Sequence, residues 1–447
     1  MKKYFTIALL LVVFASHAQL QQLKISANKR YFQTKDGKPF FWMGDTGWLL
    51  FKKCKREEAI KYLDDRKAKG FNVIQVMLLH ELNITNAYGD SALVNKDISK
   101  PNQNFVNNYW TNADFVIREA AKRGIYIALV PIWGGNIKHV SVDQCKAYAT
   151  FLANHYKQHS NIIWLNGGDI KGSDALDKWN MIGNTLRSID KDHLIGFHPR
   201  GRNSSSAWFH NEAWLDFNMF QSGHKRYEQD TVSTETLHYG EDNWKYVNDD
   251  YKLTPVKPTL DGEPSYENIP HGLHDSSEKR WTAADVRRYA YWSVFAGGCG
   301  FTYGNNSVMQ FYRTTDKGSS FGANKNWDDE INAPGAGQMQ YLKELILSKS
   351  YFDRTPAQEL VIDNGDKYNR VLATKGKGYA MFYVYNARNI NVLTKKLNFK
   401  PTKATWFSPS DSQVIPVKDF KFNPLASTFT PPGEKGNGND WVLILEK

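Results

Sequence analysis

Residues Asn161–Asp169 read NIIWLNGGD. The run Ile162–Leu165 is apolar without alternation, which fits a strand buried on both faces of a helix-covered parallel sheet. Two glycines then break the strand, and a carboxylate follows them. A lone Asp after a turn is usually a helix N-cap, here for a helix starting near Leu176. Whether Asp169 is more than a cap depends on what the other strands carry at their ends.

The same strand-then-helix pattern repeats along the chain. Apolar strands are read in FFWMGDT (40–46), FNVIQVMLL (71–79), IYIALVPI (125–132), NIIWLNGGD, LIGFHPR (194–200), LDFNMFQSG (215–223), KPTLDGEP (257–264) and GFTYGN (300–305). Helical periodicity fills the gaps, with Ser141 as a cap before the third helix and Gly70 and Gly124 as C-terminal stops. Only the fifth connection is irregular and Ser-rich. Eight such units in about 320 residues predict an α/β fold, a (β/α)8 TIM barrel. No G-x-G-x-x-G or P-loop follows the first strand, which disfavours a doubly wound nucleotide-binding sheet.

Before the barrel, Asp36-Gly37 between two alternating runs signals a hairpin. From about Tyr351 the rhythm changes to short alternating strands with Gly, Asn, Asp and Pro turns, predicting a small antiparallel β-sandwich. The expected layout is a barrel with its hairpin over residues 19–350 and a β domain over 351–447. That domain is read as a brace, because Trp406 alone stands out as an aromatic surface platform.

The opening MKKYFTIALLLVVFASHAQ has a basic start, an apolar run too short for a membrane span and small residues at Ser16 and Ala18. It reads as a signal peptide over residues 1–18, so the mature chain is expected to be exported, periplasmic or extracellular, with no membrane anchor. Cys54, Cys145 and Cys299 are widely spaced, with no C-x-x-C pair, and read as packing residues. The formal net charge of +11 is spread along the chain without an arginine-rich block, so no nucleic-acid partner is expected. Aromatics make up 14% of the residues, consistent with sugar stacking and equally with a large barrel core.

Barrel chemistry gathers at the C-terminal ends of the strands. The polar and aromatic residues there include Asp45, Trp48, His80, Trp133, Asn166, Asp169, His198, Gln221, His224, Asp261, Glu263, Tyr266 and Tyr303. Asp169 after the fourth strand and Glu263 after the seventh would face each other across the mouth. Cleavage of a glycosidic bond needs such a pair, one carboxylic acid to protonate the leaving oxygen and one carboxylate to attack or to activate water. Gly167-Gly168 would let the backbone bring Asp169 over the barrel axis. Glu263 could instead pair with an Arg or Lys, and Asp261, placed on the same strand face but deeper, could act in its stead. Asp45 reads as a hydroxyl-binding residue, and His80 and His198 read as sugar partners or as core histidines. His271 and His274 lack a third ligand and there is no H-E-x-x-H, so no metal is expected. No G-x-S-x-G elbow marks a serine hydrolase.

GKPFFWMGDTGW, WLNGGD and KPTLDGEPSYE together resemble the apiosidase-like glycoside hydrolases, family 140, over nearly the whole mature chain. The resemblance implies a TIM barrel with a C-terminal β domain of the collagen-binding type. It implies release of apiose from pectic side chains of the rhamnogalacturonan-II type, and the chain is read as an exo-acting glycosidase without metal or nucleotide cofactor. It also implies Asp169 as acid/base and Glu263 as nucleophile of a retaining reaction. Asp45, Trp48, His80, Trp133, Asn166, His198, Gln221, Tyr266 and Tyr303 are then expected to line the sugar pocket. One departure stands out: related retaining barrels carry a Glu directly after the strand-four Asn, whereas here Asp169 comes three residues after Asn166. The other readings are an endo-acting β-glycanase of the cellulase or mannanase kind and a non-catalytic carbohydrate-binding barrel.

Overall fold

A computed structural model of the protein describes residues 20–447. The expected signal peptide lies outside the described residues. Eight parallel strands form the barrel: β1 Trp42–Thr46, β2 Val73–Met77, β3 Tyr126–Val130, β4 Ile162–Ile170, β5 Ile195–Pro199, β6 Asn218–Gln221, β7 Thr259–Asp261 and β8 Gly300–Tyr303. They are ordered β5-β4-β3-β2-β1-β8-β7-β6. The remaining seam is joined where the Asp216 N–H donates to the Ile195 carbonyl at 2.8 Å. The main helices are α1 Arg56–Ala68, α2 Tyr109–Lys122, α3 Val142–Tyr156, α4 Leu176–Ile189, α5 Trp244–Tyr251, α6 Ala283–Phe295 and α7 Pro334–Leu347. The expected barrel is present.

Local chemistry sets the helix ends. Ser141 and Gln144 form a reciprocal capping box at the start of α3, as Thr282 and Asp285 do at α6. Gly70 and Gly124 follow α1 and α2 with φ of 80° and 77°, the left-handed turn that ends a helix. The Ser-rich connection after β5 holds more structure than its sequence suggests. Asn203–Ser204 pairs antiparallel with β6, and a short helix, Ser206–Phe209, follows. Two polar residues are too few to show a strand period.

Alternation along the strands decides which side chains reach the axis. In β2, Ile74 and Val76 pack among the helices with Tyr62, Leu63 and Ile117. Gln75 points inward, and its Nε2 donates to the Gly262 carbonyl across the barrel at 2.8 Å. The N-terminal hairpin, turned at Gly37 with φ 86°, plugs the lower end. Its Phe32 ring meets Phe217 edge-on at 5.3 Å and lies 6.1 Å from Trp42. The barrel is therefore solid below, and its free volume lies at the mouth.

The C-terminal domain is a six-stranded antiparallel sheet with a second, two-stranded sheet, Ile390–Val392 paired with Ser427–Phe429. Between them lie Phe382, Val384, Ile390, Val392, Phe429 and Leu443. Trp406 belongs to this core at 3% exposure, so it is not a surface platform: its strand buries that face. The domain packs on α6. Tyr291 and Tyr383 stack at 4.8 Å, and Arg287 pairs with Asp440 at 2.7 Å. No helix of the described residues is long and apolar enough to cross a membrane.

Candidate active site

The turn after β4 is built by three consecutive residues with positive φ: Gly167 at 90°, Gly168 at 114° and Asp169 at 46°. Pairing with β5 slips there, from Gly167 opposite His198 to Ile170 opposite Pro199. Such a bulge re-aims a side chain next to a site. Neither glycine is replaceable in place. A Cβ on Gly167 would lie 2.6 Å from the His198 carbonyl, and one on Gly168 would lie 2.7 Å from the Trp133 ring. The result puts the Asp169 carboxyl into the cleft. It is not a helix cap, because the cap position of α4 is Ala175.

Across the mouth, β7 ends at Asp261 and the chain turns at Gly262, where any Cβ would strike the Met219 sulfur at 2.3 Å. Glu263 follows, 7% exposed. Its partners are two histidines rather than a Lys or Arg. His224 Nε2 lies 3.2 Å from Oε1, and His198 Nε2 lies 3.3 Å from Oε2. The other nitrogen of each ring faces a backbone N–H: Tyr266 N–H at 3.4 Å from His224 Nδ1, and Asp169 N–H at 3.5 Å from His198 Nδ1. A neutral imidazole accepts on one nitrogen and donates from the other. Both rings are thereby set to carry their proton on Nε2 and present it to Glu263.

The two carboxyls are driven apart in acidity. Burial alone would raise Glu263, but the hydrogen bonding of His198 and His224 outweighs it and holds the group at about 2. Burial among protein atoms and then the Glu263 charge raise Asp169 to about 6. Asp169 is open to the cleft water, so the desolvation part of its shift develops fully only when a substrate displaces that water. A pair of titratable groups pushed in opposite directions is the pattern of an acid and a base assigned by environment.

Between them lies a cavity of about 220 Å³, lined by Trp48, Leu49, Met77, His80, Trp133, Asp169, Gln221, His224, Glu263, Tyr266, Ile269, Leu273, Met309, Gln310, Ser320 and Phe321. Trp48 and Trp133 lean together with ring centres 5.3 Å apart, giving one aromatic wall. Three buried polar atoms of the lining, His80 Nδ1, Gln221 Oε1 and Tyr266 Oη, have no hydrogen-bond partner in the protein. Leaving a buried polar atom unpaired costs about 1–3 kcal/mol, so hydroxyl groups entering this cavity would find ready partners. Burial and the Lys52 charge lower His80, which favours its neutral, hydrogen-bonding form.

Six of the nine expected pocket residues therefore come together here: Trp48, His80, Trp133, Gln221 and Tyr266 on the walls, and His198 beneath Glu263. Three do not. Asp45, Asn166 and Tyr303 sit on the outward faces of β1, β4 and β8. Asp45 is fully buried against Arg66 Nε at 2.5 Å and the Tyr62 hydroxyl at 2.6 Å. Asn166 donates to the Trp179 carbonyl of α4 at 2.8 Å, and the Tyr303 hydroxyl donates to Glu267 at 2.5 Å. Asp261 is likewise outward, held by Ser222 and Asn243. Regular alternation ends at Gly262, so Asp261 and Glu263 do not share a face. His224 was visible at the end of strand six, but nothing in the sequence marked it as the partner of Glu263. The apolar wall from the loops after β7 and β8, Leu273, Met309 and Phe321, left no motif at all. Among the described residues no group of three or more His, Cys, Asp or Glu is arranged to hold a metal ion. His271 instead lies against Trp281 at 4.3 Å.

The family model described as the apiosidase-like catalytic domain matches residues 26–353. The chain belongs to the apiosidase-like glycoside hydrolases. A second model, described as a collagen-binding domain of a collagenase, matches residues 355–446. A solved glycoside hydrolase is 44% identical, with a TM-score of 0.91 over 96% of this chain and 97% of its own. A glycoside hydrolase of family 5 from Bacteroides vulgatus is 41% identical, with a TM-score of 0.91 over 96% of this chain and 94% of its own. No curated protein matches the chain. The enzyme is thus a glycoside hydrolase with a TIM-barrel catalytic domain.

Proposed function

We propose that this apiosidase-like enzyme is exo-acting and removes one terminal sugar, apiose, from pectic side chains of the rhamnogalacturonan-II type. The observation that carries this reading is a pair of oppositely tuned carboxyls, Asp169 and Glu263, on one small cavity. At about 220 Å³ the cavity is below the range of about 300–1,000 Å³ typical of larger-ligand sites. That size suits a single sugar ring against Trp48 and Trp133 better than a run of them, and favours exo over endo cleavage.

In the proposed mechanism the Asp169 carboxylic acid donates its proton to the glycosidic oxygen as the C1–O bond breaks. The Glu263 carboxylate forms a bond to C1, giving a glycosyl ester, and the leaving sugar departs as an alcohol. Asp169, now a carboxylate, takes a proton from water; the water oxygen bonds to C1 and Glu263 leaves with its electron pair. The sugar departs with its anomeric configuration retained, and both carboxyls return to their starting states. We also propose that the mature protein is exported, on the strength of its N-terminal sequence.

The test is incubation of wild type and Glu263→Gln with a pectin side-chain preparation, with products separated by chromatography and the anomer followed by NMR. One pentose, released by wild type alone and first seen as the retained anomer, is the expected result. Oligosaccharide products would overturn exo action, and an inverted first product would overturn the nucleophile role of Glu263.

A further inference from the structure

The loop from Ser222 to Asn243 leaves the end of β6, carries His224 and returns at α5. Its two ends close on one buried carboxylate. Asp261 accepts from Ser222 Oγ at 2.6 Å and from Asn243 Nδ2 at 3.0 Å. The far part of the loop is held differently. Glu241, fully buried, pairs with Arg288 of α6 at 2.5 Å and accepts the hydroxyl of Tyr368, from the C-terminal domain, at 2.7 Å. Arg288 is itself enclosed, with the Tyr368 and Tyr385 rings 5.0 and 5.1 Å from its guanidinium.

The same tyrosine reaches the loop a second time. The Tyr227 ring, three residues beyond His224, lies 5.7 Å from the Tyr368 ring. Its hydroxyl donates to Asp242 at 2.5 Å, and Lys367 Nζ sits 5.1 Å from its face. Arg226 Nε approaches Glu241 at 3.9 Å. Tyr368 therefore fastens the chain just after His224 and just before the loop returns. At the root of the loop, the His224 carbonyl receives the Gly272 N–H at 2.8 Å.

We infer that Tyr368 is a positioning residue for Glu263, acting through the loop that aligns His224, so that the C-terminal β domain is part of the catalytic apparatus. The inference rests on the reading of Glu263 as the nucleophile. It differs from a general brace. Arg287–Asp440 and Tyr291–Tyr383 already join the domains without touching this loop, so the contact through Tyr368 is separable from interdomain adhesion. A side chain that must hold a carboxylate in attacking position tolerates little displacement of its support.

The experiment compares full-length wild type, Tyr368→Phe, His224→Gln and the double variant, with Tyr383→Phe as an interdomain control. Tyr368→Phe keeps the ring on Arg288 and Tyr227 and removes only the hydroxyl to Glu241. The expected result is a several-fold fall in kcat with little change in KM, an acidic limb of the pH profile moved upward, and no further loss when His224 is already Gln. Tyr383→Phe leaves that profile in place. Independently of turnover, the His224 ring resonances, assigned by their loss in His224→Gln, shift in Tyr368→Phe. Losses that add in the double variant, or a lowered Tm with unchanged pH profile and His224 resonances, would overturn the inference. If wild type cleaves no saccharide, the functional reading falls. The His224 resonances then decide the coupling alone: a shift upholds it and no shift overturns it.

Discussion

His224 stands 3.2 Å from Glu263 with its Nε2, while its Nδ1 faces the N–H of Tyr266 at 3.4 Å. The backbone contact fixes which nitrogen keeps the proton, and that proton is what holds Glu263 ionised in a site whose burial opposes it. Replacing His224 by Ala should therefore raise the Glu263 pKa. The acidic limb of kcat/KM, which lies near the lower end of the measurable range in wild type, should move up into it. A profile identical to wild type would show that His198 alone suffices.

The opposite tuning of the two carboxyls has a consequence for stability. Without substrate the Glu263 charge already raises Asp169 above 3.8, and displacement of the cleft water carries it toward about 6. A raised folded pKa gives stability that is complete below pH 3.8 and lost as pH rises through the raised value. Glu263 is lowered from 4.5 to about 2, so its contribution is complete above 4.5 and lost as pH falls through 2. At pH 7, Asp169→Asn should raise Tm and Glu263→Gln should lower it, while each removes activity by several orders of magnitude. The gain from Asp169→Asn should vanish below pH 3.8. Calorimetry across pH 3–8 checks both signs, and shifts of the same sign would refute the opposed tuning.

Gly168 offers a test of placement without touching a carboxyl. Its φ of 114° and the 2.7 Å approach of a Cβ to the Trp133 ring mean that Gly168→Ala must move either the ring or the turn that carries Asp169. A misplacement of about 1 Å in a catalytic group costs on the order of 100-fold in rate. We expect kcat/KM to fall by roughly that factor in a protein whose near-ultraviolet circular dichroism still reports a packed core. Wild-type kinetics would mean that the bulge absorbs the methyl group.

The fold was legible because its signal is repeated. Eight apolar runs of similar length, all but the fifth followed by helical periodicity, survive an error in any one of them, and the caps at Ser141, Gly70 and Gly124 lie where the chain turns. The site was legible only where the chain leaves the strands. Asp169 and Glu263 follow glycines that break the alternation, and both reach the cavity. Asp45, Asn166, Asp261 and Tyr303 are polar residues within regular strands, where alternation turns them toward the helices. A polar residue near a strand end has two faces open to it, and composition does not tell them apart. The pairing of His224 with Glu263, 39 residues apart, and the apolar wall from distant loops are products of closure around the barrel. No local spacing encodes them.

Asp45 gives the sharpest contrast between the two kinds of carboxylate. It resembles a site residue in sequence, lying two residues before Gly47-Trp48, yet its carboxylate is spent on Arg66 and Tyr62 in a layer without solvent. Removing one member of a buried ion pair leaves the other charged and unmatched, at a cost of about 3–5 kcal/mol. Arg66 keeps its contacts to Asp65 at 2.7 Å and to the Ile331 carbonyl at 3.1 Å, which places the expected loss for Asp45→Ala toward the lower end of that range. Denaturant unfolding should report it, while KM for the released sugar's glycoside stays at the wild-type value in the folded fraction. A raised KM with unchanged stability would mean that Asp45 reaches the substrate after all, and would require β1 to turn its outward face to the axis.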